Sequence, residues 1–262
     1  MPLAPSPPYP EKSHDLMKGK NVLVTAAAGT GIGFSAAKRF AEEGGTLFIS
    51  DIHEKRLNEA ADKIEKAVGR RPGTRLCNVT NEDEVRALVD GAIQHMGHID
   101  VLVNNAGLGG TTPIVDMTDD QWHRVLDVSL TSVFRMTRAI LPHMYARKTG
   151  CIVNNASVLG WRAQPGQAHY AAAKAGVMAF TRCAAMEAAP YNVRINAVSP
   201  SIAMHEFLAK VSDQKFLDEL CAKEAMGRAA ETWEIANVMV FLASGLSSFM
   251  TGEVVSVSSQ RA

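Results

Sequence analysis

Short apolar runs without polar alternation recur along the chain, at residues 20–25, 46–50, 73–77, 99–103, 150–156, 192–198 and 253–257. Runs of Val, Ile and Leu of this length suit parallel strands covered on both faces, where no side chain has to meet water. Helical patterns fill the gaps, among them 34–43, 122–144 and 170–189. Strand and helix in alternation predict one Rossmann-type α/β domain, a doubly wound parallel sheet in a three-layer α/β/α sandwich. The pattern loosens between Ser201 and Arg228, where Met204, Phe207, Leu208, Phe216 and Leu220 mark a long excursion expected to act as a substrate lid over residues 201–228. Residues 1–17 are too rich in proline for a helix and read as an extended arm ahead of a single domain over 18–262.

Composition narrows the function classes. A chain of 262 residues with 47% hydrophobic residues can bury a full core. Twenty-seven basic and 27 acidic residues leave a formal charge of zero, so no overall basic character favours nucleic acid. Cys77, Cys151, Cys183 and Cys221 are widely spaced, form no metal-ligand pair and read as free thiols, so no metal is expected. The most apolar helical stretch, 171–189, is interrupted by Lys174, Arg182 and Glu187, which argues against a membrane span. The arm lacks the charged and apolar regions of a signal peptide, and the expected location is cytoplasmic.

Two constellations carry chemistry. The first predicted strand runs into Thr25-Ala-Ala-Ala-Gly29-Thr30-Gly31-Ile32-Gly33 and then a helix. Glycines in such a turn let the backbone approach a pyrophosphate, and the helix N-terminus adds free N–H groups and a partial positive charge. Twenty residues beyond Gly31, the second strand ends in Asp51, placed to accept hydrogen bonds from both hydroxyls of an adenosine ribose. In the second constellation Tyr170 and Lys174 stand four apart, on one face of a helix. A fixed cation there is expected to lower the phenol pKa from about 10 toward neutrality, making a group that transfers protons near pH 7.

With Ser157 thirteen residues before Tyr170, Asn104-Asn105-Ala106-Gly107 closing the fourth strand and Asn196-Ala-Val-Ser-Pro200 after the sixth, the chain resembles the short-chain dehydrogenase/reductase family over about residues 18–257. The resemblance implies hydride transfer between nicotinamide and a carbonyl carbon, with Tyr170 as general acid/base, Lys174 lowering its pKa and holding the nicotinamide ribose, and Ser157 orienting the substrate oxygen. It places Gly29, Thr30, Gly31, Ile32, Gly33, Asp51, Asn78, Val79, Asn105, Ala106, Gly107, Tyr170, Lys174, Pro200 and Ile202 around the cofactor. Asp51 favours NAD over its 2′-phosphorylated form. The sequence departs from the family in three places. The first glycine of the turn is Ala26 and the turn is one residue longer, Ser129 replaces an asparagine that supports a proton relay, and Ser201-Ile202 follows Pro200 where glycine is usual. Ser129 is expected to keep a relay role. Pairing of helical stretches 122–144 and 170–189 across subunits implies a homo-oligomer, a tetramer by resemblance. Within the family the chain looks like a bacterial branch that oxidises hydroxyl groups on coenzyme A thioesters of steroid ring C/D fragments. A 3-oxoacyl thioester reductase, a nucleotide-sugar epimerase or dehydratase, and a cofactor-binding protein without catalysis are the competing readings.

Overall fold

The computed structural model describes residues 5–10, 13–205 and 214–259, apart from the side chain of Phe216. Seven parallel strands build the sheet: β1 (Asn21–Val24), β2 (Thr46–Asp51), β3 (Gly73–Leu76), β4 (Val101–Asn104), β5 (Gly150–Asn155), β6 (Val193–Pro200) and, last in sequence, β9 (Val254–Val257). Their order is β3-β2-β1-β4-β5-β6-β9. The sequence of connections reverses between β1 and β4, the point at which ligands bind across such sheets.

Two-residue periodicity sorts the strand side chains. Val22 and Val24, Val101 and Val103, and Cys151 and Val153 enter one core with Phe40, Ile64 and Met239, on α1 (Ile32–Glu42), α2 (Glu54–Val68) and α8 (Thr232–Ala243). Leu23, Leu102 and Ile152 point to the other face, against Leu88, Ile140 and Ala188 on α3 (Glu82–Met96), α5 (Ser132–Arg147) and α6 (Ala168–Ala188). Both faces are therefore dry, as the unalternated apolar runs require.

Three expectations change. The predicted helix over 122–144 is two helices, α4 (Asp119–Leu126) and α5, joined by a π turn at Asp127–Thr131 in which the Ser132 N–H reaches back to Asp127 O. The arm is not separate from the domain. Met17 is fully buried in the core, and Tyr9 stacks edge-on against Trp233 while its hydroxyl donates to Glu42 Oε2 at 2.6 Å. Thirdly, the lid region contains more than a loop: β7 (Ala203–Met204) pairs in parallel with β8 (Ala230–Glu231), and α7 (Gln214–Lys223) lies between them. The expected lid residues Phe207 and Leu208 and the side chain of Phe216 lie outside the described residues.

Candidate active site

The carboxyl ends of β1, β2, β4, β5 and β6 converge on one edge. After β1 the chain turns sharply, with Ala26 left-handed at φ +49° and Gly29 at φ +84°. This is how the longer turn re-routes where a glycine is missing. Thr25 ties the turn to β4: its Oγ1 donates to Val103 O and accepts from the Asn105 N–H. The Asn105 amide donates to Ala26 O at 3.0 Å. A side chain on Gly33 would lie 2.2 Å from Ala26 O and 2.3 Å from Asn105 Nδ2, so only glycine fits beneath this contact. Gly29 and Gly31 face open space. No side chain caps the first turn of α1, which also has no acidic residue, so its N–H groups suit an anion.

Asp51 stands beside this turn, its carboxylate fixed by the N–H groups of Ala28 at 3.2 Å and His53 at 3.0 Å. Burial raises its pKa, and the Ala28 N–H and Arg56 pull the other way. The remaining predicted cofactor residues line the same edge less directly. The Asn78 side chain accepts from the N–H and hydroxyl of Thr80, Val79 and Ala106 are buried, Pro200 ends β6, and Ile202 O accepts from the Ala230 N–H of the small sheet. The open glycine turn, uncapped helix end and anchored carboxylate fit a nicotinamide dinucleotide.

Ser157 follows β5 and lies within hydrogen-bond reach of the Tyr170 phenol, and its Oγ also accepts from the Leu159 N–H at 3.3 Å. Lys174, one turn beyond Tyr170 on α6, is 2% exposed and donates from Nζ to Asn155 O at 2.6 Å. Its Nζ lies 5.6 Å from the centre of the tyrosine ring, and a side chain on Gly107 would come within 3.4 Å of it. The three expected residues are thus brought together, but the protonation balance differs from expectation. Burial pushes the Tyr170 phenol above its ordinary value, with the Ser157 bond opposing it, and burial pulls Lys174 down to about 8. Desolvation is the largest influence on both groups, because both lose water in the same cleft, and at the phenol only the bond to Ser157 opposes it.

Ser129, in the π turn, is fully buried. Its hydroxyl accepts from the Leu108 N–H and donates to Leu108 O, both at 2.9 Å. Its recorded contacts therefore fasten the loop after β4 and do not reach Lys174. That loop crosses the site: Gly109 lies against the Tyr170 ring, and Thr111 and Thr112 bond to Gln167 and Gly166. Arg228, which ends the predicted lid, is committed to both carboxylate oxygens of Glu234. Thr25 and Asn155 escaped the sequence reading, although Val-Asn-Asn-Ala occurs at both 103–106 and 153–156. Among the described residues there is no cluster that could hold a metal and no helix long and apolar enough to cross a membrane.

Comparison with known proteins agrees with this geometry. A family model described as enoyl-(acyl carrier protein) reductase matches residues 26–259. The chain is 61% identical over 248 residues to the (5R,7aS)-5-hydroxy-7a-methyl-1-oxo-2,3,5,6,7,7a-hexahydro-1H-indene-carboxyl-CoA reductase of Mycobacterium tuberculosis, covering 94% of this chain and 95% of that protein. It is 37% identical to a 3-oxoacyl-[acyl-carrier-protein] reductase of Thermotoga maritima, over 92% of this chain and 97% of that one. A crystal structure of a short chain dehydrogenase from Mycobacterium smegmatis superposes with a TM-score of 0.88 at 55% identity, covering 98% of this chain and 99% of the other. An NAD+-bound xylitol dehydrogenase (34% identity, TM-score 0.87, 93% and 99% covered) and an actinorhodin polyketide ketoreductase with NADPH (30%, 0.87, 94% and 98%) are also similar. On its motifs, its sheet and these matches, the chain belongs to the short-chain dehydrogenase/reductase family.

Proposed function

We propose that this oxidoreductase interconverts a secondary alcohol and a ketone on a bulky, coenzyme A-linked bicyclic substrate of the steroid ring C/D type, with NAD(H) as its redox partner. Ser157 and Tyr170, within reach of one another beside buried Lys174, carry the reaction class, and the 61% identity to the indene-carboxyl-CoA reductase supports the substrate class. The lower identity to 3-oxoacyl reductases makes a simple acyl thioester the second choice.

When bound, the nicotinamide dinucleotide supplies or accepts the hydride at carbon. The chain's own residues handle the oxygen. Ser157 donates a hydrogen bond to the substrate oxygen and holds it against the Tyr170 phenol. In reduction the phenol gives its proton to that oxygen, and in oxidation the phenolate takes the hydroxyl proton. A phenol that burial holds protonated is ready for reduction, so alcohol oxidation should quicken as pH rises from 7 toward 10 while reduction stays nearly level. Lys174 places positive charge beside the ring and offers donors to ribose hydroxyls. Asp51, fixed by two backbone N–H groups, would repel a 2′-phosphate, which favours NAD(H).

A panel of hydroxylated bicyclic and straight-chain 3-hydroxyacyl coenzyme A esters, each assayed with NAD+ and NADP+, tests the reading. Higher kcat/KM for the bicyclic esters with NAD+ is expected. Preference for the straight-chain esters would overturn the substrate assignment, and preference for NADP+ the cofactor assignment.

A further inference from the structure

We propose that Asn155 is a positioning residue that locks the re-routed glycine turn to the lysine of the reaction centre, so that the dinucleotide's two ends are held by one side chain and its own carbonyl. The proposal rests on the reading that the glycine turn holds NAD(H). Asn155 is the last residue of β5, in register with Val198 of β6, and is nine-tenths buried. Its backbone oxygen accepts from Lys174 Nζ at 2.6 Å. Its side-chain Nδ2 donates to Asn105 Oδ1 at 2.9 Å, and Asn105 Nδ2 donates to Ala26 O at 3.0 Å.

The polarity of this chain of amides is fixed by chemistry. Ala26 O can only accept, so Asn105 must turn its NH2 toward it, which leaves Oδ1 to take the Asn155 NH2. The Asn155 Oδ1 is consequently the free end, buried and without a partner among the described residues. A buried acceptor left unpaired costs about 1–3 kcal/mol, and a β-branched or leucine side chain would suit a central strand better. Stability alone therefore does not account for asparagine here. What the amide achieves is to orient Asn105, which in turn holds Ala26, the one non-glycine residue in the turn after β1 with positive φ. Gly33 completes the arrangement, since any side chain there would occupy the place of both Ala26 O and Asn105 Nδ2. Pulling on Ala26 O sets the course of 26–31, and the same residue's carbonyl sets the height of Lys174 in the cleft.

Replacing Asn155 by leucine keeps most of the volume and removes the link. Titration of NADH fluorescence should show the dissociation constant of Asn155→Leu rising on the order of tenfold, about 1.4 kcal/mol, while its Tm stays within a few degrees of wild type or increases. Asn105→Ala should weaken NADH similarly, and the double variant no more than the worse single, as for two links of one chain. Should Asn155→Leu not fold, Asn155→Ser, too short to span to Asn105, serves with the same criteria. Wild-type affinity in a folded variant, or losses that add in the double, would overturn the proposal. Failure of the wild-type protein to bind either nicotinamide cofactor would instead overturn the cofactor reading on which it rests.

Discussion

The burial of Lys174, which suits the role proposed for it, works against the stability of the protein. It is 2% exposed, and burial lowers its pKa from 10.5 to about 8. A lysine whose folded pKa is depressed binds protons less readily than in the unfolded chain, so it weakens the fold at low pH and ceases to do so as pH rises from about 8 to about 10.5. Lys174→Met should therefore be more stable than wild type at pH 7, by up to about 3 kcal/mol less about 1 kcal/mol for the lost bond to Asn155 O. Denaturant midpoints at pH 7 and 10 should show that advantage shrinking with pH, and turnover should be lost at both. Tyr170→Phe should lower kcat by at least about 10²-fold with NADH affinity nearly unchanged, since only the proton-transferring oxygen is removed. Ala26 carries strain of a different kind. Its φ of +49° suits glycine, and Ala26→Gly should leave stability unchanged or raise it by up to about 1 kcal/mol, read as a shift in midpoint at constant m.

At the scale of elements, the π turn between α4 and α5 is the feature with most consequence. One extra residue per turn interrupts the helix at Ser129 and sets its hydroxyl on both polar groups of the Leu108 backbone. The sequence-based expectation gave this serine a place in a proton relay, and its contacts now favour a clamp on the loop that crosses Tyr170. Ser129→Ala should strand the Leu108 N–H and carbonyl and destabilise the protein by about 1–3 kcal/mol. Amide exchange of residues 107–112 should speed up markedly. A loss of kcat at unchanged stability and exchange would return Ser129 to the relay. The strands were legible to within a residue or two, because fully buried parallel strands leave unbroken apolar runs. The π turn was not, because its one extra residue leaves the apolar pattern of a helix almost intact.

For the whole molecule, the open question is what covers its remaining apolar surface. Of the residues that suggested a subunit interface, Val133, Met136, Ile140 and Met178 are buried within the chain itself. Phe134 and Met186 do remain exposed, the latter at 76%, and Leu246 and a fully exposed Phe249 add further apolar surface. Exposed apolar side chains of this size are most simply buried against further copies of the chain, as in the tetramer that the resemblance implies. Light scattering at micromolar concentration should give a mass near four times 28.2 kDa. Met186→Glu and Phe249→Glu should each reduce it. A monomer mass for the wild type would refute the assembly.

The sequence by itself determined the order of strands and helices, the place of the glycine turn, Asp51 and the Ser157, Tyr170 and Lys174 set, because each is encoded in local spacing that a strand or helix converts directly into position. It did not determine charge states. What governs the Tyr170 phenol depends on how much water the packed cleft excludes, and burial is the largest influence on both Tyr170 and Lys174. Nor did it reveal that Arg228 is already held by Glu234, that Met17 belongs to the core, or that Asn155 meets Asn105 across the β4–β5 pair. Those are contacts between residues from six to fifty positions apart, and only the closing of the sheet and its two helical layers decides which side chains come together.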